Sequence, residues 1–352
     1  VMLSHKNVAV HSLCAIAEFG LSDKDKWLHA APMFHLADAW ATFAITAVGG
    51  KHVICPAFKP ESALRLIQNE KVTLSNLIPT MLNLLVNCKE IREYNLSSLR
   101  VVLSGGAPIA PQLVKMIIEK FGCDYIQTYG MTETSPYLTV SILKEHLKKL
   151  PIEQQLKFKS KTGREFLGVS LKVVRDNGSE IEADEIEVGE IIVKGDIITK
   201  GYWKMPEETA KVFKNGWLFT GDMATIDKQG YVNIVDRKDD VIITGGENVY
   251  SIEVEHALYE HPSILEVAVI GIPDEKWGET VHAVVALKNG ASTAADEIIE
   301  FAKKRLARFK VPKSVEFIDS LPKTGSGKIT KQALKKNIKI INKLKTRIHD
   351  IN

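Results

Sequence analysis

Hydrophobic and polar positions follow two rhythms over the first third of the chain. From Ser4 to Glu18 apolar residues recur at helical spacing, and Ser4 can cap the first turn. Short β-branched runs at Trp27 to Ala31, Lys51 to Cys55, Val72 to Ile78 and Arg100 to Leu103 read as buried strands. Helical patterns occupy Glu61 to Asn69, Thr80 to Val86 and Pro111 to Phe121, and a further strand-like run spans Asp124 to Thr128. Strands alternating with helices imply parallel sheets covered by helices.

The rhythm changes at Leu143 to Lys161, which is rich in Lys, Glu and Gln and reads as a surface helix and loop. Gly168 to Val235 is a region of strands and turns, with strands at Val169 to Val174, Gly189 to Val193 and Tyr231 to Val235. It reads as a small β-subdomain. After Arg237, a helix at Ser251 to Tyr259, strands at Val267 to Ile272 and Val281 to Leu287, and a helix at Ala294 to Leu306 form a compact α+β unit. The charged turn Arg237 to Asp240 marks the boundary. The expected class is α/β: a large lobe with parallel-type sheets and a small β-subdomain over 1–236, and a smaller α+β domain over 237–336. Lys335 to Asn352 reads as a basic helical run, with 337–352 as a loosely held tail.

Composition narrows the class of partner. Hydrophobic residues make up 45% of 352 and charged residues 25%, enough apolar material for a sizeable core. A net charge of +3 gives no reason to expect nucleic acid or an anionic membrane. No apolar run reaches the ~20 residues of a membrane-spanning helix. Cys14, Cys55, Cys88 and Cys123 are far apart in sequence, and they read as reduced packing residues in a reducing compartment, taken as the cytoplasm. The chain opens abruptly at Val1, directly before a helix. We therefore expect an N-terminal part, with any targeting signal, to be missing.

Glycine-punctuated polar motifs carry the chemistry. Ser104-Gly105-Gly106-Ala107-Pro108 follows a strand, where glycines let a ligand approach the backbone; an ordinary strand-to-helix turn reads the same way. Tyr129-Gly130-Met131-Thr132-Glu133-Thr134 offers an aromatic face, a hydroxyl for a phosphate and a carboxylate for Mg²⁺. The alternative is a polar loop with a buried tyrosine. Asp222 closes Gly216-Trp217-Leu218-Phe219-Thr220-Gly221 at the expected end of a strand and suits a ribose diol, although turn aspartates are common. Arg237 and Asp239 lie in a charged linker that could be merely solvated. Lys328 follows Gly325-Ser326-Gly327, which allows a long reach to a phosphate or simple solvation. His35 could border a pocket or serve structure.

In this order the motifs resemble those of the adenylate-forming (AMP-binding) superfamily, and Phe34-His35 and Gly245-Gly246-Glu247-Asn248 are most similar to its acyl-CoA synthetase branch. The resemblance extends to about Lys336. It implies an AMP-forming acid–thiol ligase: ATP, with Mg²⁺, activates a carboxylic acid, expected to be a fatty acid, to acyl-AMP, and the acyl group passes to CoA. No tightly bound prosthetic group is implied. By the resemblance, Gly106, Ala107, Pro108 and Tyr129 form the adenine pocket. Thr132 touches the α-phosphate, Glu133 holds Mg²⁺, and Asp222 and Arg237 bind the ribose. Lys328 stabilises the adenylation transition state, and the C-terminal domain acts as a lid that turns about Asp239. Phe34, His35 and Gly105 border the acyl pocket. Gly245, Gly246 and Glu247 line the thiol tunnel, with Trp277, Phe309 and Lys313 against CoA. The phosphate loop that the superfamily carries before the position matched by Val1 to His5 is absent from this sequence. Two other readings stand beside the ligase: a non-catalytic AMP- or acyl-binding remnant, and an amino-acid-adenylating domain serving a carrier protein.

Overall fold

The computed structural model describes residues 1–324 and 329–336. The chain divides into two compact units, 1–220 with 224–234, and 221–223 with 235 onward.

In the first unit, elements alternate as the sequence implies. They run α1 (His5–Phe19), β1 (Lys26–His29), α2 (Leu36–Ala47), β2 (Lys51–Ile54), α3 (Pro60–Glu70), β3 (Leu74–Asn76), α4 (Pro79–Val86), β4 (Val101–Ser104), α5 (Pro111–Phe121) and β5 (Asp124–Gly130). Then come β6 (Tyr137–Val140), α6 (Ile152–Ser160), β7 (Arg164–Glu165), β8 (Val169–Val174), β9 (Gly189–Gly195), α7 (Pro206–Val212), β10 (Phe213–Lys214), β11 (Trp217–Ile226) and β12 (Val232–Arg237).

The main sheet has the order β2-β1-β3-β4-β5-β6-β7. Its first five strands are parallel and β6 and β7 are antiparallel, so the expected α/β class holds with a mixed rather than an all-parallel sheet. Both faces are covered, which explains the continuous apolar runs. Trp27, Val101, Leu103 and Ile126 point into one core with α1 and α2, while Leu28, Val102 and Tyr125 point into the other with α3, α4 and α5. The second sheet has the order β10-β11-β9-β8, with β12 beside β11.

Local chemistry sets the helix ends. Ser4 caps α1 through a capping box with Asn7, and Gly20 ends it in the left-handed region. Proline occupies the first turn of α3, α4 and α5.

Three expectations need correction. The Val72 to Ile78 run is a strand only over Leu74–Asn76, because Ile78 already caps α4. The Leu143 to Lys161 segment does contain α6, yet Leu143 and Leu147 pack against Tyr231, and Leu156 and Lys159 are buried. Lys159 is drawn in by Asp124, with which it pairs, and by the Tyr125 carbonyl. Asp222 lies in the middle of β11, not at a strand end.

In the second unit, β13 (Ile242–Thr244), β14 (Glu247–Val249), α8 (Ser251–Tyr259), β15 (Ile264–Asp274), β16 (Gly278–Leu287), α9 (Ala295–Lys303) and β17 (Ser314–Phe317) form the α+β arrangement. The sheet order is β14-β13-β16-β15, and β17 runs parallel to β16. Residues 331–336 are helical, and Leu334 is buried against Ala268, Ile270 and Val284. All four cysteines are free, and Cys88 alone is only half-buried. Among the described residues no helix is long and apolar enough to cross a membrane.

Candidate active site

Five parallel strands put the loops that follow them at one edge of the main sheet, the carboxyl edge where open α/β sheets bind ligands. At the end of β4, Gly105 is buried and Gly106, Ala107 and Pro108 are exposed. Gly105 faces β5 so closely that a Cβ would lie 2.7 Å from the Thr128 carbonyl oxygen. The loop is tied to β5 by Gln127 Nε2, which donates to the Ala107 carbonyl over 2.9 Å, and Gln127 in turn accepts from the Tyr125 hydroxyl. The structure thus brings the Gly105–Pro108 turn and Tyr129 together on neighbouring strands.

Tyr129 is half-buried near the end of β5 and packs on the core below. The strand continues to Gly130, two residues beyond the expected Thr128. Gly130 has no alternative: a Cβ there would lie 1.8 Å from the Pro136 carbonyl oxygen. That carbonyl also accepts from Met131 N–H over 3.1 Å and from the Thr134 hydroxyl. The result is a tight 3-10 turn, Thr132–Thr134, that leaves Thr132 exposed and Glu133 half-exposed.

Glu133 is gripped by a stretch that sequence reasoning missed. Thr199 N–H donates to the Glu133 carbonyl over 2.7 Å, and the Tyr202 hydroxyl donates to Glu133 Oε1 over 2.9 Å. The available signal was Gly201-Tyr202-Trp203 before the Pro206 helix start, which has no periodicity to mark it. The donor set suits Mg²⁺, which takes one or two carboxylates and completes its shell with water and phosphate oxygens. One half-exposed carboxylate with no lysine or arginine partner among the described residues fits that habit.

Phe34 and His35 follow β1 at the same edge, with β3 between their strand and β4. Phe34 is 79% exposed. His35 is exposed and caps α2, its Nδ1 accepting from Ala37 N–H over 3.4 Å. Asn76, at the end of β3, ties this turn down by donating to the Ala37 carbonyl. Beneath the turn lies a network the sequence did not reveal. Asp38 accepts from Trp27 Nε1 over 3.0 Å and lies 2.7 Å from His29 Nδ1, and His29 Nε2 lies 2.8 Å from His52 Nδ1.

In the second unit, Asp222 and Arg237 are joined: Arg237 Nε lies 2.7 Å from Asp222 Oδ1. Asp239 sits exposed in the 3-10 turn Lys238–Asp240, and its carbonyl accepts from Lys335 Nζ over 2.8 Å. Lys335 also pairs with Asp240 at 3.1 Å. Gly245 and Gly246 form a two-residue hairpin turn between β13 and β14, with φ of 61° and 86°. Gly245 N–H donates to the Trp277 carbonyl over 2.8 Å, and the Trp277 ring fills the space of a Gly245 Cβ. Glu247 is exposed at the same tip. Phe309 is exposed in a turn that neighbours β14, and Lys313 is exposed just before β17. Lys328 lies outside the described residues, as do Gly325, Ser326, Gly327 and the 337–352 tail.

Residues 1–203 match the AMP-binding enzyme family and residues 253–328 match the AMP-binding enzyme C-terminal domain. The chain belongs to the AMP-binding enzyme family. It is 39% identical over 331 residues to a feruloyl-CoA synthase of an Amycolatopsis species, covering 94% of this chain and 65% of that protein. It is 39% identical over 338 residues to a long-chain-fatty-acid–CoA ligase of Bacillus subtilis, covering 95% and 58%. Among solved structures it resembles ATP-bound MatB from Rhodopseudomonas palustris, with a TM-score of 0.85, 33% identity, and coverage of 97% and 65%. The chain therefore spans under two-thirds of the length of these relatives.

Proposed function

We propose that this protein activates a carboxylic acid with ATP and transfers the acyl group to the thiol of CoA, and that the acid is a fatty acid. The observation that carries this reading is the carboxyl edge of the main sheet, where a glycine-floored turn, an aromatic face and a half-exposed glutamate meet in a member of the AMP-binding family. The relatives' names support a CoA ligase, and one of them supports a fatty acid.

In the first half-reaction, a carboxylate oxygen of the acid attacks the α-phosphorus of ATP. The bond to the bridging oxygen breaks and pyrophosphate leaves with the electron pair. In this reading Tyr129 stacks on the adenine against the Gly106–Pro108 turn, and Asp222 and Arg237 take the ribose hydroxyls. Thr132 donates to the α-phosphate, and Lys328 neutralises charge as it develops there. Glu133 would hold Mg²⁺, which when bound screens the triphosphate charge. Phe34, His35 and Gly105 would border the acyl chain.

In the second half-reaction, the CoA sulfur attacks the acyl carbon. The anhydride C–O bond breaks, AMP leaves, and the thiol proton passes to water. Gly245, Gly246, Glu247, Trp277, Phe309 and Lys313 are the groups proposed to guide CoA. Asp239 is the proposed hinge for a change of orientation between the two steps.

The test is pyrophosphate release with a panel of acids: long-chain fatty, cinnamic-type, short hydroxy and amino acids. Release driven best by fatty acids, followed by CoA-dependent AMP release, is the expected result. AMP binding with no release for any acid would favour a binding module. Release with amino acids alone would favour a carrier-directed domain.

A further inference from the structure

Glu133 is held by one stretch of chain at three points along its turn. Thr199 binds its carbonyl, Tyr202 binds its carboxylate, and the Ser135 hydroxyl donates to the Ile197 carbonyl over 2.8 Å. Tyr202 is itself fixed. Its N–H donates to Thr209 Oγ1 over 2.9 Å, and Gly201 lies so near that a Cβ would be 2.4 Å from the Thr209 methyl. Among the described residues no other side chain donates to the Glu133 carboxylate. A glutamate side chain has several rotamers, and a donor fixed on one oxygen selects among them. Outer partners that orient a metal-binding carboxylate typically matter 10–100-fold for metal affinity.

We infer that Tyr202 is a positioning residue for Glu133, orienting its carboxylate for the divalent cation that accompanies the triphosphate. This rests on the assignment of Glu133 to that cation.

The experiment measures Mn²⁺ binding by paramagnetic resonance in the presence of α,β-methylene-ATP, for the wild-type chain, Tyr202→Phe and Glu133→Gln. Tyr202→Phe removes one oxygen and keeps the ring, and circular dichroism verifies that each variant is folded. Tyr202→Phe is expected to weaken Mn²⁺ about tenfold or more while leaving metal-free nucleotide affinity within about twofold, a split that a merely structural role would not produce. Glu133→Gln is expected to weaken Mn²⁺ at least as much. If Glu133→Gln weakens Mn²⁺ and Tyr202→Phe binds it like wild type, the positioning role is overturned and the Glu133 assignment survives. If the wild-type chain takes up no Mn²⁺, or Glu133→Gln binds it unchanged, the assignment itself fails and the inference falls with it.

Discussion

Arg237 Nε lies 2.7 Å from Asp222 Oδ1, joining the end of β12 to the middle of β11. Asp222 is 3% exposed, whereas the Arg237 side chain is 46% exposed. The pair thus presents a buried carboxylate beside a partly exposed guanidinium, the combination proposed for a ribose diol. Charge-assisted hydrogen bonds contribute about 1.5–3 kcal/mol. Asp222→Asn is therefore expected to weaken AMP roughly tenfold to a hundredfold by calorimetry. An unchanged affinity in a folded variant would remove Asp222 from the nucleotide site.

Two glycines in the candidate site answer to different physics. Gly130 is demanded by the Pro136 carbonyl, Gly106 only by its φ of 82°, with nothing near its absent Cβ. Gly106→Ala is expected to cost about 1–2 kcal/mol in urea unfolding. Gly130→Ala should cost on the order of 3 kcal/mol or more, because backbone must move. Equal costs would contradict this account of the turn.

The second unit contains a largely buried ionic cluster. Lys331 pairs with Glu255 at 2.7 Å and donates to the Ser251 hydroxyl, which donates to Asp236 over 2.9 Å. Burial pushes both the Asp236 and Glu255 carboxyls up, and Lys331 works against that rise. Removing the cation with Lys331→Met should cost roughly 3 kcal/mol at pH 7. A carboxyl raised in the folded state loses stability as pH climbs through its folded value and regains it on acidification. The deficit of Lys331→Met should accordingly shrink between pH 7 and pH 5, as followed by urea unfolding. A deficit independent of pH would exclude this cause.

His11 has the opposite effect. It is 1% exposed among Trp40, Tyr137 and Phe166, and burial lowers its pKa from 6.5 to about 3. Between those values the unfolded chain binds the proton and the folded chain does not, so stability falls as pH drops. One such group contributes about 1.4 kcal/mol per pH unit, or about 2 kcal/mol at pH 5. His11→Gln should flatten the stability–pH slope below pH 6.5 by that share. An unaltered slope would show that His11 is protonated in the fold.

Much of the architecture was legible because burial is periodic. Ser4, the three helix-opening prolines and the alternation of Val101, Val102 and Leu103 mark their elements directly. Helix α2 was not legible. Leu-Ala-Asp-Ala-Trp-Ala-Thr-Phe-Ala-Ile-Thr-Ala is apolar nearly all round, and its polar Asp38 is buried, so no polar stripe reveals the helix. The Asp222 position was misread because glycine before it suggested a strand end, whereas Gly221, with φ 73°, lies inside β11. Motif residues on neighbouring strands could be found from their glycines. Tyr202 could not, since its role comes from a contact 69 residues away in sequence.

In the proposed function Lys328 is needed for adenylation and not for thioester formation. Acid-dependent exchange of pyrophosphate into ATP, measured beside thioester formation from a supplied acyl-adenylate and CoA, addresses it most directly. Lys328→Ala is expected to lose exchange by about a hundredfold or more while retaining most of the thioester rate. Exchange that persists, or a fall of both rates together, would contradict the account.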